Sequence, residues 1–145
     1  MQIKNRRAYY DYQILEKYEG GLALLGGEVQ SIRAGRANID HAFVRIRNGE
    51  AYLLGANIPL SVHSQIKGYD PSRVRKVLLH RQEIVSLSTK VSQSRLTLMP
   101  ISLYNKGRLV KVQIGLGKGK KQFEKKDAKK KKDLDREIER ALKDF

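Results

Sequence analysis

The chain has no cysteine and no tryptophan among its 145 residues, only 3 prolines, and half as many acidic as basic residues, 15 against 30. Without thiols there is neither a disulfide framework nor a thiolate metal site, which a reducing cytoplasm permits but does not demand. No apolar run approaches the ~18 residues a membrane-spanning helix needs. No lipidation motif is present, and Met1 leads into charged residues instead of the apolar stretch of a secretory signal. The acids are few and separated, so no carboxylate pair is set up for acid and base work, and no serine occupies a nucleophile elbow. His41, His63 and His80 lack paired ligand spacing. The sequence therefore offers no catalytic constellation, no metal site and no cofactor motif.

What is abundant is positive charge. The formal net charge is +15. From Gly117 onward there are 12 basic and 7 acidic residues, and before it 18 and 8, so both parts carry an excess. Between Lys118 and Lys132 stand nine lysines against only Glu124 and Asp127. A segment so charged wraps lysines around any helix it forms and cannot bury itself in a core of its own chain. Excess charge on both parts favours a phosphate backbone as partner, because every neutralised phosphate releases counterions and the gains sum. A membrane surface is the competing polyanion.

The body before this tail reads as mainly β. Residues 9–25, YYDYQILEKYEGGLALL, predict two strands or one bent strand, with Gly20 and Gly21 at the bend or bulge. Gly26 and Gly27 precede a short helix that ends at Gly35, with Val29 and Ile32 on one face and Arg33 and Arg36 a turn apart on another. Phe43, Arg45 and Arg47 alternate with Val44 and Ile46, and Asn48-Gly49 then turns the chain into Tyr52, Leu53 and Leu54, a strong hairpin signal. Residues 59–73 hold two prolines and little periodicity and predict a surface loop. A short apolar run leads into an amphipathic helix from about Gln82, carrying Ile84, Leu87 and Val91. Two strands follow, Leu96 to Leu103 and Leu109 to Leu116, joined near Lys106-Gly107. About six strands, two or three short helices and many turns predict a small antiparallel OB-like barrel, because closure removes exposed edges. The division is residues 1–117 as barrel and 118–145 as a lysine-rich tail, disordered or helical. The Gly115, Gly117 and Gly119 series reads as a hinge, and Leu134, Ile138 and Leu142 form a helical stripe beyond it.

Residues 115–121, GLGKGKK, fail as a phosphate-cradling loop, since the spacing and the Ser or Thr are wrong. Arg6, Arg7, Arg33, Arg36, Arg45 and Arg47 are better candidates, because the guanidinium fork matches phosphate and stacks on unpaired bases. Tyr9, Tyr10, Tyr12 and Tyr18 suit base stacking, but alternating aromatics more often fill a barrel core, and most are expected there. Phe123, alone among lysines, has no core to enter and suits stacking on an exposed base.

Taken together, NRRAYYDY, GLALLGGEVQSIRAGRANI, DPSRVRKVLLHRQEI, LTLMPISLYNKGRLVKVQIGLGKGKK and the tail occur in one order and spacing. In this the chain resembles the SsrA-binding protein (SmpB) family over essentially its full length. The resemblance implies a non-enzymatic cytoplasmic RNA-binding factor: an OB-like barrel that binds the tRNA-like domain of transfer-messenger RNA (tmRNA, SsrA RNA). That factor carries the RNA into stalled ribosomes for trans-translation. In the family the tail becomes helical in the empty mRNA channel, against small-subunit rRNA at the decoding centre. Elongation factor Tu joins within the alanyl-tmRNA complex, no membrane takes part, and the protein is a monomer.

Carried over by motif, Glu19 in YEGGLAL, Leu78 and His80 in KVLLH, and Lys111 in RLVKV resemble positions that support or make RNA contacts. Leu78 is expected to pack, and Glu19, unable to attract phosphate, to bond a base or hydroxyl or to orient an arginine. Arg36 and Asn38 in AGRAN resemble neighbouring loop contacts, and Arg6, Arg7, Arg33 and Lys118 complete the RNA-binding set. In the tail, Gly119, Lys120 and Lys121 match the GKK entry. Phe123, Glu124, Lys125 and Lys126 stand where the family often shows His or Tyr, then Asp, Lys and Arg. Lys126 lacks the bidentate fork of Arg, and Phe123 keeps stacking but loses a polar edge. A general RNA-binding or ribosomal protein would carry the same charge, and an RNA-modifying enzyme would need the catalytic cluster that is missing.

Overall fold

Residues 43–54 fold as their alternation dictates. In the computed structural model, which describes residues 2–120 and Arg136, Phe43–Arg47 (β3) and Glu50–Leu54 (β4) form a hairpin. Asn48 and Gly49 take φ of 52° and 74°, the left-handed pair that a tight two-residue hairpin turn requires. The expectations placed on Lys121, Phe123, Glu124, Lys125, Lys126, Leu134, Ile138 and Leu142 lie outside the described residues.

The other elements are Gln2–Lys4 (β1), Ala8–Asp11 (α1), Tyr12–Leu22 (β2), Gly26–Arg33 (α2), Arg75–Leu78 (β5), Arg81–Ser94 (α3), Thr97–Lys106 (β6) and Leu109–Gly119 (β7). Every pairing is antiparallel. The order β6-β3-β4-β5-β2-β7 closes on itself through β6 and β7, giving a ring of six strands, and β1 pairs with β6 on the edge that also meets β3. The barrel-like antiparallel fold with three short helices is thus as expected, with seven strands among the described residues where about six were read. Residues 9–25 supply one strand where two were allowed for, and the additions are β1, only three residues long, and β5, whose apolar run is too short for its own periodicity to declare a strand.

Inward positions of the ring form the core. Leu53, Val77, Leu103, Val112 and Ile114 are buried, and Ile32 of α2 and Leu87 of α3 join the same cluster. The stripe read on α3 is correct, and α2 begins at Gly26, taking in both glycines.

Three readings need correction. Residues 9–25 are not all strand: the Asp11 N–H donates to the Arg7 carbonyl at 2.8 Å, and the Arg7–Asp11 pair at 3.1 Å, one turn apart, supports the helical turn α1. That turn leaves Tyr9 and Tyr10 exposed instead of in the core, while Tyr18 packs against it. The bulge in β2 falls between Ile14 and Glu16, not at the glycine pair. The glycines at 115 and 117 are no hinge. Both lie inside β7, where a β-carbon would sit 2.8 Å from Ile101 Cδ1 at Gly115 and 3.1 Å from the Gln13 carbonyl oxygen at Gly117, so they are places of close approach.

A buried ion pair ties the irregular part to the ring. Glu28 and Arg75 are both fully buried. Glu28 Oε2 accepts from Arg75 Nη2 at 2.7 Å and Nε at 2.9 Å, and from the Tyr69 hydroxyl at 2.8 Å. Its Oε1 accepts from the Leu25 N–H at 2.8 Å and from Arg73 Nη2 at 2.5 Å. Arg75 also donates to the carbonyls of Ala56 and Pro71, each at 2.9 Å. One carboxylate therefore caps the start of α2 and pins the predicted loop of residues 59–73, which holds only a 3-10 turn at Val62–Ser64, against β5.

Burial alone would push the Glu28 carboxyl up, but the bonds from Arg73, the Leu25 amide, Tyr69 and Arg75 outweigh it and hold it at about 2. A lowered folded value contributes stability above the ordinary carboxylate pKa, here on the order of 3 kcal/mol. It is lost as pH falls from about 4.5 toward 2. Glu28→Gln is expected to destabilise the fold by roughly 3 to 5 kcal/mol, since it leaves buried Arg75 without its charge partner. In urea melts the wild type should lose stability steeply across that acid window, and the variant much less.

Candidate nucleic-acid interface

Where β2 changes neighbours, three separated motifs meet. Gly21 of β2 is paired with Lys111 of β7 on one side and with Leu78 of β5 on the other. A β-carbon at Gly20 would lie 3.1 Å from both Leu79 Cδ2 and Val77 Cγ1 and 3.2 Å from the Leu78 carbonyl oxygen, so any side chain there would press on β5 and the residue after it. The result is an open cleft of about 560 Å³ with Glu19, Leu78, His80, Leu109 and Lys111 among its walls. The fold thus brings together Glu19, Leu78, His80 and Lys111, four residues that lie up to 92 positions apart in sequence.

Leu78, expected to pack, is 52% exposed; alternation along β5 buries Arg75 and Val77 and turns Leu78 outward, over Gly21. Exposed Leu109 forms another part of the wall, so the cleft offers apolar contact beside its cations. His80 caps α3 from outside, its N–H donating to Glu83 Oε1 at 3.2 Å.

Glu19 does orient a partner, though not an arginine. Its carboxylate accepts from the Tyr104 hydroxyl, and from Lys106 Nζ at 3.0 Å. The bond from Tyr104 foremost, then the bond from Lys106, and last the charges of Lys106 and Lys111 keep Glu19 below the usual carboxylate range. Partial burial, then the bond to Glu19, push the Tyr104 phenol up to about 12. Glu19 therefore presents Tyr104 and Lys106 at fixed positions and is itself held ionised. Tyr104, Lys106 and Leu109 escaped the sequence reading; the facing register of β2, β6 and β7, which brings them near Glu19, is not a local signal.

The remaining candidates lie elsewhere. Arg33 Nη2 donates to the Arg108 carbonyl at 2.9 Å, bracing the β6–β7 turn. Arg6 and Asn38 border a separate depression of about 420 Å³. There Asn38 Oδ1 accepts from the Asp40 N–H at 2.9 Å, and Asp40 Oδ1 from the Arg6 N–H at 2.9 Å. Arg7 is paired with Asp11 and lies 5.9 Å from the Tyr10 ring centroid. Arg36 is exposed just past α2. Lys118 and Gly119 are the last rungs of β7, opposite Gln13 and Tyr12. Lys120 donates from its N–H to the Asp11 carbonyl at 2.9 Å and from Nζ to the Tyr9 carbonyl at 2.8 Å. Among the described residues no cluster of three His, Asp or Glu side chains is arranged to hold a metal, and no helix is long and apolar enough to cross a membrane.

Residues 2–144 match the family model described as SmpB protein. An SsrA-binding protein of Carboxydothermus hydrogenoformans is 48% identical over 139 residues, 96% of this chain and 93% of that protein. One from Azoarcus sp. is 51% identical over 142 residues, 97% of this chain and 95% of that protein. Among solved structures, a chain from "tmRNA-SmpB: a journey to the center of the bacterial ribosome" superimposes with a TM-score of 0.69 at 44% identity, covering 83% of this chain and 85% of that one.

If Glu19 acts by holding Tyr104, the two residues are coupled. Glu19→Ala is expected to weaken RNA binding about tenfold, the scale of one charge-assisted hydrogen bond. Tyr104→Phe should weaken it less, and the double variant should be no worse than Glu19→Ala. A double-mutant cycle on dissociation constants checks this, and additive losses would mean that each touches RNA separately.

Proposed function

The chain belongs to the SmpB family of SsrA-binding proteins, and from that membership we propose that its cleft at Glu19, Leu78, His80 and Lys111 receives the tRNA-like domain of transfer-messenger RNA. The observation that carries the reading is the convergence of those residues beside an excess of cations. The protein binds this RNA and acts with it on the ribosome in trans-translation. Its mechanism is positional. Lys111 and Lys106 draw in phosphates; Leu78 and Leu109 pack against a sugar or base; Tyr104, set by Glu19, donates to a 2′-hydroxyl or base edge. Arg6, Arg7, Arg33, Arg36, Asn38 and Lys118 extend the RNA contact beyond the cleft.

The lysine-rich tail, with Gly119, Lys120, Lys121, Phe123, Glu124, Lys125 and Lys126 at its root, reads the empty mRNA channel and the decoding centre. The cost of ordering such a segment is met when its lysines reach ribosomal RNA. The protein works as a monomer in the cytoplasm, and elongation factor Tu accompanies it within the alanyl-tmRNA complex.

Because β7 continues to Gly119, a chain ended after Lys120 keeps every strand found among the described residues. It should bind the tRNA-like domain nearly as tightly as the full chain but fail to support tagging on ribosomes stalled in a reconstituted translation reaction. Equal loss of both activities would refute the separation of roles. With about six phosphates neutralised by the body, affinity should fall as roughly the fifth power of salt concentration. A titration between 50 and 200 mM salt, about the range over which such slopes are read, measures it.

A further inference from the structure

The outer face of β3 and β4 takes no part in the cleft. Alternation sends Phe43, Arg45 and Arg47 to it from β3, and the register sets them opposite Leu54, Tyr52 and Glu50 of β4, with Lys76 of β5 beside Tyr52. Arg45, Arg47, Tyr52 and Val74 border a depression of about 570 Å³ on this face.

The charge there is uncompensated. Glu50, the acid on these strands, is turned toward Lys76 Nζ at 3.0 Å and accepts from the Tyr52 hydroxyl at 3.2 Å. Among the described residues, neither Arg45 nor Arg47 makes an ion pair, although Arg47 is directly cross-strand from Glu50. Arg45 instead lies over the Phe43 ring, 5.1 Å from its centroid, a contact that steadies a guanidinium without neutralising it. Two residues apart on one strand, the arginines are spaced by about 6.8 Å. That is comparable to the step between neighbouring phosphates of an extended nucleic-acid strand. Tyr52 is half-buried and Val74 exposed, so an aromatic and an apolar surface lie next to the free cations. Cations spaced along a track beside an aromatic ring are the ingredients of sequence-tolerant single-strand binding.

We propose that this face is a second RNA site, which takes a single-stranded segment of an RNA other than the one in the cleft, with Arg45 and Arg47 on successive phosphates and a base against Tyr52 and Val74. The protein then bridges two RNAs through its body, whichever RNA occupies the cleft.

The test uses the full chain saturated with the tRNA-like domain, into which a single-stranded RNA decamer of mixed sequence is titrated while the amide resonances of residues 43–54 are followed. The decamer should shift Arg45, Arg47 and Tyr52 without releasing the first RNA. Binding read there should fall with salt at a slope of about −1.4, for two phosphates on a single strand. Arg45→Gln with Arg47→Gln should weaken it about tenfold or more, and Tyr52→Leu about tenfold, while affinity for the tRNA-like domain stays within about twofold. The same spectra report that the variants are folded. The proposal is overturned if the decamer leaves residues 43–54 unshifted, if it displaces the first RNA, if the arginine variant binds it as well as wild type, or if a decaglutamate peptide binds this face equally well.

Discussion

The buried pair of Glu28 and Arg75 is the constraint on which the rest of the molecule depends. The strands of the ring satisfy one another's backbone, whereas the long connection that leaves β4 makes few backbone bonds, and this pair supplies its side-chain anchors. Arg75 binds the carbonyls of Ala56 and Pro71 while Glu28 binds Arg73, Tyr69 and the start of α2. Two charges out of water are costly unless their remaining donors and acceptors are met, and here the surrounding groups meet them. Arg75 sits on β5, three residues before Leu78. What fixes the loops therefore also fixes the strand that forms one wall of the cleft.

The acids of the body explain how its surface stays so positive. Asp11, Glu16, Glu19 and Glu50 are each paired with a cation near α1 or the outer sheet, and Glu28 with two. Asp40, Asp70 and Glu83 accept from backbone N–H groups. With these carboxylates committed to holding the fold, the surplus lysines and arginines among the described residues are left without acidic partners. Such a surface attracts phosphate over a Debye length while the fold it rests on loses nothing to the attraction. Glu19 is the instructive case, since an acid in a cleft proposed to receive RNA is tolerable when its charge is already used to place a tyrosine and a lysine.

Local pattern carried much of this fold. The β3–β4 hairpin is written in Asn48-Gly49 and the alternation around it, and α3 in Ile84, Leu87 and Val91. Illegible features arose where distant parts of the chain decide. Gly115 and Gly117 resemble a flexible link until Ile101, Met99 and Gln13 are known to press on them. Tyr9 and Tyr10 resemble core until the Arg7–Asp11 turn carries them outward. For the cleft, motif resemblance assembled Glu19, Leu78, His80 and Lys111, but Tyr104 and Lys106 entered through strand register alone, and Leu78 faces solvent because Arg75 does not.

The central claim is that the body distinguishes one folded RNA by shape and a few placed contacts, beyond the pull of its charge. Its most direct measurement is a binding titration of the full chain with the tRNA-like domain of transfer-messenger RNA in the presence of an elongator tRNA as competitor, at fixed salt. Binding that persists under a large excess of the competitor is the result this account requires. Displacement at equal concentrations would contradict it, leaving a basic barrel that binds RNA without choosing.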